Sequence, residues 1–145
     1  MPAISGPFSG KVKVQTALAV SDQPKHELNV AEIGGTQKSA DENWNNAAIN
    51  YWGTMDVLGG KGSQRGYFVN DHGKDGRSWG AFEGKVATNG AEFTIEGTYQ
   101  FTGGSGKFKG LAGNGTFKTK MNSPRDVEAT WMGKYELATA QAQAR

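Results

Sequence analysis

One glutamate stands out because the side chains around it alternate in a way that predicts an apolar setting. The segment His26–Ile33 has one face that is more apolar than the other, and that face consists of His26, Leu28, Val30 and Glu32. We expect this face to point inward. A carboxylate that faces an apolar cavity is costly to ionise, so a glutamate there can exchange a proton near neutral pH. We predict Glu32 as the catalytic acid or base, with the other three residues as ligand contacts; the alternative is a strand-end glutamate in solvent.

Tyrosine and tryptophan residues supply the second kind of candidate chemistry. Their rings give flat apolar walls and each carries one polar atom, which suits a ligand cavity. Tyr51 lies on the more apolar face of its segment, and Trp131 and Tyr135 alternate with polar residues, so we predict that these three bind the ligand. Tyr67 is predicted as a catalytic residue whose hydroxyl stabilises a developing oxyanion. Tyr99 is assigned to plain core packing.

Three charged or titratable residues each have two interpretations. His26 could hydrogen-bond a ligand at one end of a barrel, or it could lie exposed beside Lys25. It cannot pair directly with Glu32, because six residues of extended strand span about 20 Å. Arg65 could face inward and bind a carboxylate, although an outward position on a solvated face is favoured. The same ambiguity applies to Glu83.

The composition excludes several classes of site. There is no cysteine, which excludes disulfides, thiolate chemistry and Cys-ligated metals. The two histidines, His26 and His72, are too few for a His-rich metal site. Asp71–Gly76 lacks the spacing of a calcium loop, and Gly103–Gly106 is followed by neither the phosphate-loop lysine nor a helix. We interpret both as turns and predict no cofactor.

The charge balance is nearly neutral. Sixteen Lys and Arg against fourteen Asp and Glu give a net charge of +2, and no basic stripe is present, which argues against nucleic-acid binding. No apolar run approaches the roughly 18 residues of a membrane-spanning helix. The first residues also lack the charged and apolar regions of a secretory signal. We therefore expect a cytoplasmic protein with neither nucleic-acid nor membrane partners.

Alternation with a period of two residues dominates the chain and predicts the elements that must hold these side chains. The candidate strands are Lys11–Val20, His26–Ile33, Ile49–Leu58, Gln64–Asn70, Ser78–Val86, Ala91–Phe101, Gly115–Met121 and Val127–Leu137. Glycine-rich turns separate several of them, and Asn89-Gly90 is the strongest hairpin signal. Eight antiparallel strands predict an all-β up-and-down barrel with room for one small ligand, and a sandwich is the alternative.

The domain organisation follows from the same pattern. We predict a single β-barrel domain over residues 1–137 and a disordered tail over 138–145, because the tail sequence lacks core residues. The polar segment Thr36–Ala48 is interpreted as a loop or a short helical turn. In Lys11–Val20, one apolar face is predicted to run through Val12, Val14 and Leu18.

Two stretches resemble the allene oxide cyclase family. Gly97–Gly110, GTYQFTGGSGKFKG, is similar to the glycine turn of these cyclases and of the related dirigent-type barrels, and His26–Ile33 is similar to the first barrel strand. With gaps, the resemblance covers roughly Lys25 to Leu137. It implies an eight-stranded barrel with an apolar cavity, often trimeric, and a cofactor-free ring closure with the acidic residue at Glu32. Gly34 stands where the family has a polar partner, so this sequence departs from the family pattern at that position.

Two functions fit these observations. The first is a cofactor-independent lyase or isomerase, with Glu32 as acid or base, that acts on a small hydrophobic substrate, aromatic or unsaturated, inside the barrel. The second is a lipocalin-like protein that binds a small hydrophobic ligand without turnover. An inward, desolvated Glu32 would favour catalysis, and an exposed one would favour binding. We also predict a homo-oligomer because residues such as Met132 place apolar surface outside; the resemblance adds the trimer.

Overall fold

The computed structural model describes residues 2–89, 92–121 and 123–138. Its strands are β1 Ala3–Ala19, β2 His26–Gln37, β3 Ala48–Leu58, β4 Lys61–Asp71, β5 Arg77–Asn89, β6 Glu92–Gly104, β7 Ala112–Met121 and β8 Asp126–Glu136. The strands fall where the alternation predicts them, although most are longer than predicted. The largest difference is at β1, which begins at Ala3 rather than Lys11.

The strands form a closed antiparallel barrel in chain order. Each strand pairs with its neighbours in sequence, and β8 pairs with the first half of β1, from Ala3 opposite Lys134 to Lys11 opposite Asp126. This pairing closes the sheet on itself. Beyond Lys11, β1 continues to Ala19 in a ladder with β2 alone, so that part of the strand keeps one unpaired edge among the described residues. The predicted up-and-down barrel is therefore confirmed, and the sandwich alternative is not adopted.

The two ends of the barrel have different connections. At one end a tight turn joins β3 to β4 through Gly59 and Gly60, whose φ angles of 62° and 82° are strained for other residues. At the other end three longer connections, 38–47, 72–76 and 105–111, lie together, and two of them contain the 3-10 helices Gly73–Asp75 and Gly106–Phe108. Gly90 of the predicted Asn89-Gly90 turn and residues 139–145 of the predicted tail lie outside the described residues.

The inward face of β2 is the opposite of the one predicted. Asn29, Ala31 and Ile33 are buried, whereas Leu28 and Val30 are 45% and 56% exposed. Phe8 of β1 packs against Ala31 and Ile33, so aromatic volume from a neighbouring strand fills the interior and β2 contributes smaller side chains there. Comparing the apolar character of the two faces therefore selected the wrong one.

A β-bulge in β1 breaks the apolar face predicted for that strand. Val12 pairs with Ile33 and Val14 pairs with Glu32, so one extra residue of β1 lies between the two pairs. Such a bulge moves every later side chain to the other face. Val12 is half-buried, whereas Val14 is 59% exposed, so the predicted continuous face is wrong.

The interior is packed as two clusters that meet at one tryptophan. The first cluster contains Ile4, Trp44, Phe101, Phe108, Leu111 and Tyr135. The second contains Phe8, Ala31, Ile33 and Val127. Trp131 packs against both, so the two ends of the interior are continuous. Across the described ranges, no helix combines the length and the apolar character needed to cross a membrane.

Candidate ligand-binding site

The barrel contains a cavity of about 120 Å³ whose wall is mostly aromatic. The aromatic lining residues are Phe8, Trp44, Tyr51, Phe68, Phe82, Tyr99, Phe101, Phe117 and Trp131. The polar lining residues are Gln37, Gln64, Asn70 and Thr119, and no charged side chain lines the cavity within the described part of the chain. An engineered apolar cavity of ~150 Å³ accepts benzene. The space therefore suits a molecule of about one aromatic ring.

Edge-to-face contacts fix the middle of the wall around Tyr51. Its ring centroid lies 5.6 Å from that of Phe82 at 90°, and 5.9 Å from that of Phe8 at 60°. Phe82 in turn meets Phe117 at 5.8 Å and 90°. Such arrangements bring the positive edge of one ring to the negative face of another and add ~0.5–1.5 kcal/mol each. The wall is therefore a rigid surface for a ligand.

Two glycines let the wall side chains lie close to the sheet. A Cβ at Gly53 on β3 would lie 2.9 Å from Nε2 of Gln64. A Cβ at Gly66 on β4 would lie 2.8 Å from Cζ of Phe82. Without those Cβ atoms, the amide and the ring pack against the strand backbone.

The polar side chains of the wall differ in whether they already have a hydrogen-bond partner within the protein. The amide of Gln37 donates to the Trp44 carbonyl at 3.2 Å, and that of Asn70 donates to the Ser78 hydroxyl at 3.0 Å. Gln64 is buried, and among the described residues its side chain has no such partner. An amide offers both donors and an acceptor, so Gln64 is the polar group best placed to orient a ligand.

The tyrosine hydroxyls of the wall are neutral donors. Burial raises the pKa of Tyr51 well above its ordinary value and raises the pKa of Tyr99 to about 12. Both phenols therefore stay protonated in neutral solution. The Tyr99 hydroxyl and the Trp131 indole N–H are buried without a hydrogen-bond partner in the described ranges, which costs ~1–3 kcal/mol per group.

An aromatic cap formed by the connections closes one end of the cavity. Trp44, in the 38–47 connection, is 1% exposed and stacks on Phe101 with centroids 5.1 Å apart and planes at 26°. Phe108 and Tyr135 meet the same indole edge-on at 5.5 and 5.2 Å. Sequence reasoning missed Trp44 because it interpreted this segment as a polar loop; a tryptophan among polar residues was the one available signal.

Hydrogen bonds hold the cap in place. The Tyr135 hydroxyl donates to the Asp41 carboxylate at 2.6 Å and accepts from the Asn43 amide at 3.1 Å. Burial raises the pKa of Tyr135, and the adjacent Asp41 carboxylate raises it further. The hydroxyl of this predicted ligand contact therefore binds the cap, and the residue is absent from the cavity lining.

A hydrogen-bonded chain connects the cap to the cavity through His72. Its Nδ1 lies 2.9 Å from the Asn43 carbonyl oxygen, which can only accept, so Nδ1 carries the proton. Its Nε2 then accepts from the Ser78 hydroxyl at 2.8 Å, and Ser78 accepts from the cavity residue Asn70. The ring stacks on Phe108 at 3.8 Å. Burial lowers the pKa of His72.

The predicted site residues divide between the two faces of the wall. Tyr51 and Trp131 line the cavity, as predicted, and so does Tyr99, which had been assigned to core packing. Glu32 is half-buried on the outer face, opposite Val14, and Tyr67 is 70% exposed there. The expected inward position of Glu32 is therefore wrong, and its predicted catalytic role and that of Tyr67 depend on the sequence alone.

The other candidates of β2, β4 and β5 also lie outside the cavity. His26 binds two carboxylates, with Nδ1 2.5 Å from Asp22 and Nε2 2.7 Å from Asp56. These bonds favour the protonated ring and raise the pKa of His26. Arg65 has the favoured outward position, and Glu83 lies opposite it on β5. In the described ranges, no group of three or more metal-ligating side chains is found.

The fold and the cavity define an eight-stranded antiparallel barrel with an aromatic interior. A solved structure similar to this chain is that of pyocyanin demethylase, with a TM-score of 0.48 and 11% sequence identity over 91% of this chain and 99% of that chain. Neither a protein-family model nor a curated protein matches the chain. The resemblance to allene oxide cyclases is thus not confirmed, and a likeness this distant carries no functional argument.

Proposed function

We propose that the protein binds a small, flat, uncharged aromatic molecule inside the barrel. The observation that carries the proposal is the cavity wall, which is aromatic and, over the described residues, has no charged side chain. A charged ligand would lose its hydration there without gaining a counter-charge, which is strongly unfavourable. A neutral ring would instead gain apolar contact and edge-to-face packing.

Orientation would come from either of two groups on the neighbouring strands β3 and β4. Tyr51 lies opposite Phe68 and Gln64 lies opposite Met55, so the two groups are four register positions apart. Gln64 on β4 offers an amide, and Tyr51 on β3 offers a neutral phenol. A ligand with one hydroxyl or ring N–H, such as phenol or indole, has the matching hydrogen-bonding capacity. Because the wall is rigid, the cavity volume of about 120 Å³ sets the upper size of the ligand.

A cofactor-independent lyase or isomerase is the second candidate, and the phenols favour it. Tyr51 and Tyr99 are protonated donors in an apolar space, where a hydrogen bond to a developing oxyanion is strong. The carboxylate that sequence interpretation assigned to this chemistry, Glu32, is absent from the cavity lining. We therefore place binding ahead of turnover.

The test measures binding of phenol and indole against benzoate and cyclohexanol. Because Trp44 and Trp131 line the cavity, we expect phenol to change the tryptophan fluorescence. Indole fluoresces as tryptophan does, so calorimetry measures its binding. Either should also raise the free energy of unfolding, by ~2.7 kcal/mol at 100 times the Kd. Benzoate and cyclohexanol should bind at least about tenfold more weakly, a difference of ~1.4 kcal/mol.

Two neighbouring substitutions on β8 give a matched pair. Ala129→Leu adds volume to the cavity wall and should abolish phenol binding, whereas Thr130→Leu adds the same group to the exposed face and should leave binding unchanged. Thermal melting verifies that both variants are folded. Wild-type affinity in Ala129→Leu would place the site elsewhere, and equal affinity for benzoate would contradict an uncharged ligand.

A further inference from the structure

We infer that the outside of strands β1–β4 binds a second copy of this chain. The surface in question, here called the outer apolar face, consists of side chains that are 40–70% exposed, namely Val14, Leu18, Leu28, Val30, Trp52 and Tyr67. Exposed apolar patches of this kind on a folded domain mark interaction sites. The inference concerns the opposite side of the wall from the cavity and does not depend on what the cavity binds.

Strand register makes this face continuous. Leu18 of β1 lies opposite Leu28 of β2, and Trp52 of β3 lies opposite Tyr67 of β4. Side chains directly opposite each other on one face of a sheet are ~4.5–5.5 Å apart at Cβ. Between β2 and β3 the connection is diagonal, because Val30 lies opposite Thr54, two residues from Trp52. The aliphatic end on β1 and β2 therefore meets the aromatic end on β3 and β4 at this diagonal contact.

The aromatic end is concave. A depression of about 410 Å³ lies on the outer wall, bordered by Val30, Trp52 and Tyr67. At the aliphatic end Leu18 is 64% exposed. The aliphatic end of one copy can therefore enter the depression of another. Such a contact closes either as a two-fold dimer or as a ring, which includes the predicted trimer.

Charges around the depression favour a second copy as the occupant. Arg65 on β4 and Glu83 on β5 lie opposite each other and both border it, yet none of the ion pairs found among the described residues joins them. A surface with both signs beside apolar side chains is complementary to itself. An anionic membrane or a nucleic acid would instead require one predominant positive sign.

The size of the face is sufficient for a stable contact. At these exposures the six side chains offer on the order of 600 Å² of surface per copy, against the ~800 Å² per partner of a standard interface. About 56–58% of such an interface is apolar. The face therefore supplies the apolar part of a standard interface without any movement of the barrel.

The first experiment measures the molar mass by light scattering and sedimentation from low to high micromolar concentration. We expect a dimer or trimer for the full chain. The double variant Val30→Lys and Tyr67→Lys should be monomeric, with a dissociation constant raised at least about a hundredfold, a difference of ~2.8 kcal/mol. Both residues are already exposed, so the barrel should still fold; circular dichroism and thermal melting check this.

A matched control changes exposed residues on the far side of the barrel. Thr98→Lys and Thr116→Lys, which lie opposite each other on β6 and β7, should leave the assembly unchanged. A wild-type monomer at all concentrations would overturn the inference, and so would an assembly that survives the first double variant. A monomer that sediments with phosphatidylcholine vesicles would assign the face to lipid and would equally overturn it.

The absence of cysteine from the sequence allows a direct test of the contact. A Leu18→Cys chain mixed with a Thr54→Cys chain should form a disulfide-linked heterodimer under mild oxidation, because Thr54 borders the depression. Replacing Thr54→Cys by Thr98→Cys should give no more cross-link than random collision. Equal cross-linking of the two mixtures would exclude the proposed packing.

Discussion

The interior and the outer apolar face of the barrel both contain tryptophan, but in different surroundings. Trp44 is 1% exposed and has four aromatic rings around it, from His72, Phe101, Phe108 and Tyr135. Trp52, on the outside of β3, is 40% exposed. The residue type therefore does not show which side of the wall is buried. Trp44 and Trp52 differ in the number of side chains from other parts of the chain that pack around them.

The largest expected effect comes from truncating the two tryptophans. Trp44→Ala removes the centre of the cap and should lower the free energy of unfolding by ~3–5 kcal/mol, the usual cost for a buried tryptophan. Trp52→Ala should lower it by a smaller amount, about 1–2 kcal/mol, because two-fifths of that residue, 40%, is already in water. Urea unfolding at low micromolar concentration, where assembly is weakest, measures both.

A second substitution separates packing from shape in the cap. Trp44→Phe keeps an aromatic ring and should recover about half of the loss, since apolar contact is restored and a smaller cavity remains. Comparable losses in Trp44→Ala and Trp52→Ala would show that the outer ring contributes as much to the fold as the inner one. The distinction between the two faces would then fail.

The strands and the barrel could be predicted from sequence, but the inward face could not be predicted everywhere. In β8, Trp131 and Tyr135 alternate with polar residues, so the apolar side is unambiguous and the prediction is correct. In β2, large apolar residues lie on the outer face, and inner residues such as Ala31 are smaller. The sequence of one strand does not show which neighbouring strand supplies the interior side chains, so the inward face of β2 was predicted wrongly.

The candidate site was predicted only in part because its closure depends on distant residues. Trp44 contacts Phe101, Phe108 and Tyr135, which are far from it in sequence. The residues next to Trp44 in the sequence do not predict those contacts. His72 was interpreted as part of a turn, and its partner Asn43 belongs to another connection. The inward position of Tyr51 was predicted correctly because both faces of its own strand could be compared.

The two histidines give the next prediction, because His72 lies in the cap whereas His26 lies outside the cavity. His72 is held neutral in the cap, and its folded-state pKa lies below the ordinary 6.5. The unfolded chain therefore binds more protons, and stability should fall as the pH drops below about 6.5. His72→Gln keeps a hydrogen-bonding side chain without a titrating ring, so stability should become less dependent on pH between 5 and 7.

His26 should act in the opposite direction. Asp22 and Asp56 raise its folded-state pKa above 6.5. Its contribution to stability is therefore complete below that pH and is lost as the pH rises through the folded value. Melting temperatures of wild type, His72→Gln and His26→Gln from pH 5 to 8 test both signs. The same pH slope in all three proteins would show that neither ring is coupled to folding.

The smallest expected effect is that of Glu32→Gln. Glu32 lies on the outer side of β2, opposite Trp52, and does not line the cavity. Stability should therefore change by no more than about 0.5 kcal/mol, as for an ordinary surface substitution.

Phenol affinity should stay at the wild-type value in Glu32→Gln. Gln64→Leu, which removes the amide from the cavity wall, should weaken phenol binding about tenfold, as expected for a lost hydrogen bond of ~1.4 kcal/mol. The pair compares the two sides of the wall, since one change removes a carboxyl from the outside of β2 and the other removes an amide from the inside of β4. A strong loss of phenol binding in Glu32→Gln alone would mean that the outer face forms the ligand site. Glu32 would then belong to the ligand site, as predicted from the sequence, but that site would lie outside the barrel and not inside it.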